Sequence, residues 1–354
     1  MDKNNIKRLI EIAKKNLEGN WTGKYTKPSP RLYPHQWNWD SGFIATGYSY
    51  FDLNKAKQEI ISLFNAQWAN GMVPHIVFNP DVTGYFPGPD FWDSKCSPNS
   101  PNNIHTSGLA MPAVHATACL TIYKNHNDNS GKDFLKLMFG KLKELHRFFY
   151  EYRDPANEGL IYIRHPWESG TDNSPAWDEP LKRIDLNLVK IPPYKRIDNT
   201  IIASENRPTK EDYDCYVYLV ALAQKHNYEE DQIYPECPFL IQDPLFNSIL
   251  CKANEDLIEI ASILNEDVMQ IREWYELTKY SINNKLWNDE EGCYTYYDLN
   301  AKKQIKPGSV SGLLPLYAGV SDSEHAKRVI DKLNSLSFSG NNGETYLVPS
   351  YDLE

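Results

Sequence analysis

Apolar side chains recur every three to four residues along nearly the whole 354-residue chain. This spacing is typical of amphipathic helices, because residues three and four apart lie on one helical face. It predicts helices over residues 4–18, 41–50, 54–69, 107–125, 133–152, 211–226, 245–263, 266–285, 308–319 and 322–335. Strand-like patterns are short and confined to 160–163 and 293–297. We therefore expect a single all-α domain over residues 1–354, built from repeated helical hairpins.

Long loops separate the predicted helices, and they are rich in Pro, Gly, Asn and Asp. The longest are 22–38, 73–105, 164–210 and 227–244. A compact helical bundle needs much shorter connections, and long structured loops commonly carry binding and catalytic residues. The functional residues are therefore expected in these loops. Asp40 and Ser41, which follow the first of them, are expected to mark the start of the second helix.

Charge and composition argue against several kinds of partner. The formal net charge is −10 and no basic run is longer than two residues, so binding to nucleic acid or to an anionic membrane is not expected. No apolar stretch reaches the ~18 residues of a membrane span, and the N-terminus lacks the apolar core of a signal peptide. Six scattered cysteines without a CxxC pair indicate reduced thiols in a cytoplasmic protein. The nine histidines lack the spacing of metal ligands, and nucleotide-binding motifs are absent.

Carboxylates set among aromatic residues are the chemical feature that remains. Within residues 32–43, Trp37 and Trp39 could stack on a sugar ring while Asp40 accepts hydrogen bonds from its hydroxyl groups. The alternative is that Asp40 caps a helix and both tryptophans belong to the core, and the residues alone leave the two interpretations about even. For Tyr85, a role in loop packing is favoured over contact with a substrate.

A second group of carboxylates lies within residues 165–175. Glu168 and Asp172 are four residues apart, beside Trp167. A carboxylic acid next to an aromatic wall can have a raised pKa and donate a proton near neutral pH. The alternative, which the motif alone slightly favours, is a turn at Asp172 with Glu168 in solvent. Further along, Arg207 could bind an anionic group, although an arginine near a helix start is more often a surface residue.

Together these motifs resemble the mannosylglycerate/glucosylglycerate hydrolases, which are related to glycoside hydrolase family 63. The resemblance extends nearly from end to end of the chain, and the order of the motifs makes it specific. The motifs are residues 37–43 (WNWDSGF), 85–89 (YFPGP), 106–108 (TSG), 167–170 (WESG), 172–175 (DNSP), 238–240 (PFL), 242–247 (QDPLFN) and 346–351 (YLVPSY).

The resemblance implies an (α/α)6 toroid with its site at one end, and inverting hydrolysis of a small α-glycoside such as glucosylglycerate or mannosylglycerate. Asp172 would be the general acid that protonates the leaving-group oxygen. The residues of the sugar subsite would be Tyr33, Trp37, Trp39, Asp40 and Trp167, and those that meet the aglycone would be Tyr85, Arg207 and Tyr213. Arg207 suits a glycerate carboxylate. Two carboxylates and water suffice for the reaction, so no metal and no organic cofactor is implied.

Two departures from the family pattern affect this interpretation. Met111 stands where the family usually has Gln, which bears on the sugar preference. The chain ends at Glu354, whereas family members continue into a Trp-Arg-Gly-Pro segment, further helices and the glutamate that acts as base; Glu344 is the late carboxylate that could replace it. The sequence therefore predicts an incomplete C-terminal hairpin, exposed apolar flanks on the first and last helices, and reduced stability or self-association into a homo-oligomer.

Three other functions stay open at this point. A related α-glucosidase or trehalase-like enzyme would act on a neutral sugar. A non-catalytic sugar-binding fragment would keep the aromatic residues and Asp172 without a base, and an inert fragment would neither bind nor turn over a sugar. Arg207 distinguishes the two enzyme alternatives, because its replacement should weaken the binding of an anionic substrate far more than the binding of a neutral one.

Overall fold

The computed structural model of the chain describes residues 3–126, 129–198, 207–306, 308–343 and 348–352. Its α-helices are α1 (Lys3–Asn20), α2 (Asn38–Tyr48), α3 (Leu53–Phe64), α4 (Pro89–Trp92), α5 (His115–His126), α6 (Asn129–Tyr152), α7 (Asp178–Leu181), α8 (Lys210–Lys225), α9 (Glu230–Ile233), α10 (Pro244–Leu264), α11 (Met269–Ser281), α12 (Leu314–Tyr317), α13 (Ser323–Leu333) and α14 (Leu336–Gly343). Glu344 and the start of the 346–351 motif lie outside the described residues. Among the helices of these ranges, none has the length and apolar character needed to cross a membrane.

The long helices pack as consecutive pairs arranged in two rows. α2 packs on α3, α5 on α6 and α10 on α11, while α5 contacts both α2 and α10. α10 is the most enclosed of these helices and buries side chains around its whole circumference. Pairs of helices that stand side by side in this way are the building unit of an (α/α)6 toroid, and the predicted all-α class is confirmed.

Short antiparallel strands join the loops between the helices. They are β1 (Gln36–Trp37), β2 (Ile76–Val77), β3 (Tyr162–Ile163), β4 (Ile241–Gln242), β5 (Trp287–Asn288), β6 (Cys293–Tyr294), β7 (Tyr296–Asp298) and β8 (Lys303–Ile305). β1 pairs with β2, β5 pairs with β6, and the others form one sheet in the order β3-β4-β7-β8. The register of the first pair sets Trp37 opposite Ile76, so two loops that are distant in sequence lie side by side.

The α6 helix shows how the sequence pattern produces the core. Its buried residues include Phe134, Leu135, Met138, Leu142 and Leu145, which follow the three- and four-residue spacing of one helical face. This helix packs against α5 and α10. Burying a side chain of this kind stabilises the fold by roughly 1.5–3 kcal/mol relative to leaving it exposed.

A buried ion cluster connects the end of α6 to α9 and to the loop after β3. Its members are Arg153, Arg164, Glu168 and Glu230. The exposed fractions of these four residues are 1%, 2%, 0% and 4%. Arg153 donates to the two oxygens of Glu168 at 3.0 and 2.8 Å and to Glu230 at 2.9 Å. Arg164 donates from Nε to Glu230 at 3.1 and 3.2 Å. Each buried charge therefore has a partner of opposite sign, as burial requires.

The helix predicted over 107–125 is wrong in its first half, because α5 begins at His115. The preceding residues are largely buried but not helical. Their backbone groups bond to the loop that contains β2: the Ser107 N–H donates to Ile76 O at 3.0 Å, and the His75 N–H donates to Leu109 O at 2.7 Å. These tertiary hydrogen bonds replace the helical ones that the periodicity suggested.

Other boundaries also differ from the sequence prediction. α2 begins at Asn38, so Asp40 lies within its first turn and does not cap it. The helix predicted over 308–319 is a 3-10 turn, Val310–Leu313, followed by the four-residue α12.

The α1 helix presents an apolar face to solvent. It buries none of its residues, and Ile6, Leu9, Ile10 and Ile12 are 42% to 53% exposed. The exposed flank that the sequence predicted for the first helix is confirmed. Self-association through such a surface stays a prediction.

Replacing Glu230 with Gln leaves two buried arginines facing a single carboxylate. Because removal of one partner from a buried ion pair leaves an uncompensated charge, we expect Glu230→Gln to lower the free energy of unfolding by about 3 kcal/mol. Urea denaturation followed by circular dichroism measures the loss. Glu236→Gln is the matched control, since Glu236 pairs with Lys225 at the surface, and it should leave stability nearly unchanged. Equal losses in the two variants would show that the ion cluster adds nothing specific.

Candidate active site

The long loops meet at a cavity that seven of the nine predicted site residues line. These seven are Tyr33, Trp37, Tyr85, Trp167, Asp172, Arg207 and Tyr213. The cavity has a volume of about 70 Å³, and a second cavity of about 390 Å³ lies beside it. Asp172 and Arg207 line both cavities. One carboxyl group and one guanidinium group therefore stand where the two cavities meet.

One part of the wall is aromatic and is built around Trp37. β1 brings this residue to the cavity beside Ile76, its partner in β2. The Tyr33 ring meets the Trp37 indole edge-on, with 5.0 Å between ring centroids. His35 stacks on Trp37 at 5.7 Å and meets the ring of Tyr85 at 4.5 Å. Trp37 is 7% exposed, so it belongs to the core and lines the cavity at the same time.

Trp167 reaches the same cavity from a 3-10 turn, Pro166–Glu168. His165 fixes this turn, because its Nδ1 accepts from the Trp167 N–H at 3.0 Å while its Nε2 lies 3.1 Å from Tyr216 O. Burial lowers the pKa of His165 to about 3, so the ring stays neutral and can accept at one nitrogen and donate at the other. The Tyr213 ring closes the wall against Trp167 at 5.8 Å.

Glu168 stabilises the Pro166–Glu168 turn and is not available as a catalytic acid. Its oxygens accept from the backbone N–H groups of Ala110 and Arg164, at 3.1 and 2.8 Å, in addition to Arg153. Burial alone would raise the pKa of Glu168, but Arg153 and Arg164 outweigh burial and hold the pKa at about 2. The interpretation that left Glu168 in solvent is therefore wrong, since two arginines and two backbone donors surround its carboxylate.

Asp172 differs from Glu168 in charge environment. Part of its surface is open to the two cavities, and protein encloses the rest. Burial raises the pKa of Asp172 to about 6, although Arg207 acts to lower it, and nearby Asp40 adds to the rise. The Tyr216 hydroxyl donates to the backbone oxygen of Asp172 at 2.9 Å and fixes the segment in place. A carboxyl group in this environment can carry a proton near neutral pH.

Trp39 and Asp40, in the first turn of α2, lie close to Asp172 without lining either cavity. The pKa of Asp40 is raised to about 6 by burial, and its charge acts on both Asp172 and Tyr33. The Trp39 indole fits against Gly170, where a Cβ atom would meet its ring at 2.2 Å. The structure thus brings all nine predicted residues into one neighbourhood.

Asp198 and Tyr33 hold Arg207 at the cavity. Its Nε donates to Asp198 at 2.8 Å. The Arg207 charge also acts on the phenol of Tyr33, where burial raises the pKa and Arg207 opposes this rise. A guanidinium group has five N–H donors, so the bonds to Asp198 and to the Tyr33 phenol still leave donors for a partner at the cavity.

Sequence reasoning missed several residues of the cavity, among them His75, Ile76, Phe86 and Asp198. Phe86 stands in the 85–89 motif, and His75 and Ile76 stand in the predicted 73–105 loop, but no sequence pattern marked them as site residues. Asp198 has no local signal, because its importance depends on Arg207, nine residues further along the chain. Met111, which stands where the family has Gln, is 4% exposed and is not among the residues that line these cavities.

Comparisons with known proteins show what this chain is similar to. A model of the mannosylglycerate hydrolase MGH1-like glycoside hydrolase domain matches residues 33–354. A mannosylglycerate hydrolase of Rubrobacter radiotolerans is 45% identical over 348 residues, which cover 98% of this chain and 79% of that protein. A glucosylglycerate hydrolase of Mycolicibacterium hassiacum is 33% identical over 347 residues, which cover 94% of this chain and 77% of that protein.

Solved structures show the same relationship. The GH63 mannosylglycerate hydrolase from Thermus thermophilus, in complex with Tris and D-glycerate, matches with a TM-score of 0.89 and 39% identity over 97% of this chain and 80% of that chain. The neutral trehalase of Saccharomyces cerevisiae matches with a TM-score of 0.51 and 16% identity over 89% of this chain and 56% of that chain, which is a likeness of fold. The (α/α)6 toroid predicted from the sequence is confirmed.

The close fit between Gly170 and Trp39 gives a test of how the loop is positioned. Gly170 has φ +73°, and an added Cβ atom would meet the Trp39 ring, so Gly170→Ala should displace the indole and the loop that leads to Asp172. We expect a changed near-ultraviolet circular dichroism spectrum and a lower free energy of unfolding, by about 2 kcal/mol or more.

Gly319→Ala is the control for backbone strain alone. Gly319 has φ +64° with nothing within 4 Å of an added Cβ atom, so its replacement should cost about 1–2 kcal/mol and leave the near-ultraviolet spectrum unchanged. If both variants behaved alike, the contact with Trp39 would have no part in positioning the loop.

Proposed function

The chain belongs to the mannosylglycerate hydrolase MGH1-like glycoside hydrolase family, and from this premise we propose that it hydrolyses a small α-glycoside of glycerate with inversion of configuration. Glucosylglycerate and mannosylglycerate are the candidate substrates. The observation that carries this proposal is the pairing of Asp172 with Arg207 at the junction of the two cavities. An acid that can hold a proton near neutral pH and a cation for a carboxylate are the two groups that such a substrate requires.

Asp172 is the general acid in this proposal. Hydrolysis of a glycoside needs a proton on the leaving-group oxygen while positive charge develops at the sugar ring. The raised pKa of Asp172, caused first by burial, supplies a protonated carboxyl group at the cavity wall. Trp37, Trp39 and Trp167 would form the apolar surface for the sugar ring, and Asp40 would accept from its hydroxyl groups.

Arg207 binds the glycerate carboxylate in this proposal, with Tyr85 and Tyr213 beside it. All three residues line the smaller cavity. The names of the relatives support this assignment, since those enzymes act on mannosylglycerate or glucosylglycerate. The complex of the Thermus thermophilus enzyme with D-glycerate adds support from a solved structure. A guanidinium group is well suited to a carboxylate, because it can offer two parallel N–H donors.

We also propose that the enzyme acts in the cytoplasm. All six cysteines are free thiols, and five of them are buried. Free thiols persist in reducing compartments, which supports this assignment.

Asp172→Asn should abolish sugar release while leaving ligand affinity nearly intact, because the amide keeps the shape and loses the proton. Sugar release is measured from glucosylglycerate, mannosylglycerate, trehalose and kojibiose. Because the acid acts when protonated, kcat/KM of the unaltered enzyme should fall as the pH rises through about 6.

An inverting reaction also needs a second carboxylate, ~6.5–9.5 Å from the acid, that activates water. Release that disappears in Asp172→Asn would show that this base lies within the 354 residues. No release by a sample shown to be folded would contradict catalysis by this chain and favour a sugar-binding fragment.

Arg207→Gln should raise KM for a glycerate glycoside by about 10- to 100-fold, since a hydrogen bond to a charged group contributes roughly 1.5–3 kcal/mol. It should also move the fall of kcat/KM to higher pH, because Arg207 lowers the pKa of Asp172. Arg272→Gln, on the exposed side of α11, is the control and should change neither quantity. Equal losses on trehalose and on the glycerate glycosides would favour the neutral-sugar enzyme.

A further inference from the structure

One carboxylate, Asp198, accepts hydrogen bonds from two arginines at the edge of the smaller cavity. Arg196 donates to its two oxygens, from Nε at 3.0 Å and from Nη2 at 2.8 Å. Arg207 donates from Nε to the second of these oxygens at 2.8 Å. Asp198 and Arg207 line the cavity, whereas Arg196 is not among its lining residues. Arg196 thus acts on the cavity through its ion pair with Asp198.

Arg196 is held rigidly by contacts on its other sides. Its Nη1 donates to the backbone oxygens of Pro208 and Thr209, at 2.7 and 3.3 Å, just before α8. Its guanidinium carbon lies 4.2 Å from the centroid of the Tyr213 ring. The side chain of Arg196 is only 10% exposed, so these contacts restrain it far more than an arginine in an ordinary surface ion pair is restrained.

The charges of this group add up to one excess positive charge. Burial would raise the pKa of Asp198, but Arg196 and Arg207 outweigh burial and hold the pKa at about 2, so Asp198 is ionised near neutral pH. Two guanidinium groups and one carboxylate leave one positive charge. Without Arg196, Asp198 and Arg207 would form a neutral pair, and a substrate carboxylate would have to compete with Asp198 for Arg207.

We propose that Arg196 is a positioning residue that sets the preference for an anionic aglycone: by neutralising Asp198 it keeps the positive charge of Arg207 for the substrate carboxylate. Asp198 orients Arg207 through the hydrogen bond from Nε. Arg196 prevents Asp198 from cancelling the positive charge of Arg207. The inference rests on the proposed function in one respect, namely that Arg207 binds the carboxylate of the aglycone. It extends that function by assigning the charge preference to a residue outside the cavity.

The test compares a glycerate glycoside with the corresponding glycoside of glycerol, which has the same sugar and no charge. Arg196→Gln should raise KM for the glycerate glycoside by about tenfold, change KM for the glycerol glycoside less than twofold, and leave kcat for both within about threefold. Arg196→Lys keeps the charge and should restore most of the preference. Arg183→Gln is the control, because Arg183 forms a similar two-pronged pair with Asp298 elsewhere, and it should leave the preference unchanged.

A double variant separates charge from structure. Arg196→Gln with Asp198→Asn removes one charge of each sign and restores the excess positive charge, while the Asn oxygen can still accept from Arg207 Nε. The double variant should therefore bind the glycerate glycoside more tightly than Arg196→Gln alone, by about fivefold or more. If it binds no more tightly, or if Arg196→Gln weakens both glycosides equally, Arg196 is a structural residue and the inference is wrong.

Direct binding keeps the outcome independent of turnover. Titration calorimetry with D-glycerate on the same variants should give the same order of affinities: unaltered enzyme, double variant, Arg196→Gln. If Arg207→Gln weakens D-glycerate while Arg196→Gln does not, this inference fails and the proposed function stands. If Arg207→Gln leaves D-glycerate binding unchanged, the aglycone assignment itself fails, and the inference fails with it.

Discussion

The geometry of the site depends on the carboxylate of Glu168 and on the arginines that surround it. This carboxylate lies four residues before Asp172 and accepts from two backbone N–H groups as well as from Arg153. Its hydrogen bonds join α6, the segment before α5 and the loop after β3. A buried carboxylate satisfied in this way has few alternative arrangements, because a lost partner would leave a charge uncompensated in the interior. Glu168 thus fixes the start of the loop that leads to Asp172, and the Tyr216 hydroxyl holds the Asp172 backbone.

The same chemical group has opposite properties at different places in this neighbourhood. Glu168 and Asp198 each accept hydrogen bonds from arginine side chains, and their pKa values are held at about 2. Asp172 and Asp40 are enclosed without a guanidinium contact of that kind, and burial raises both pKa values to about 6. The first pair stays ionised and organises the structure, while the second pair can exchange protons near neutral pH. The placement of the arginines therefore separates carboxylates that stay charged from carboxylates that can hold a proton near neutral pH.

The sequence predicted the helical class and the neighbourhood of the site, and it failed where tertiary contacts decide. Periodicity alone located α6 and α10, because each carries many apolar residues at helical spacing over a long segment. It failed at 107–114, where hydrogen bonds to the loop of β2 outweigh helical ones. Composition could not distinguish Glu168 from Asp172, since both stand beside Trp167 and only the fold brings Arg153 to one of them. Asp198 could not be predicted for the same reason: its two partners share no motif with it.

The charge of Arg207 links substrate preference to acid strength. In the free enzyme Arg207 lowers the pKa of Asp172 against the effect of burial. If the aglycone carboxylate lies on Arg207, it cancels much of that charge, and the pKa of Asp172 rises when the substrate binds. The acid then holds its proton more firmly in the complex than in the free enzyme, so the fall of kcat should lie at higher pH than the fall of kcat/KM. A neutral aglycone leaves the charge of Arg207 in place and produces no such shift. An anionic substrate would therefore raise the pKa of the acid that protonates its own leaving group.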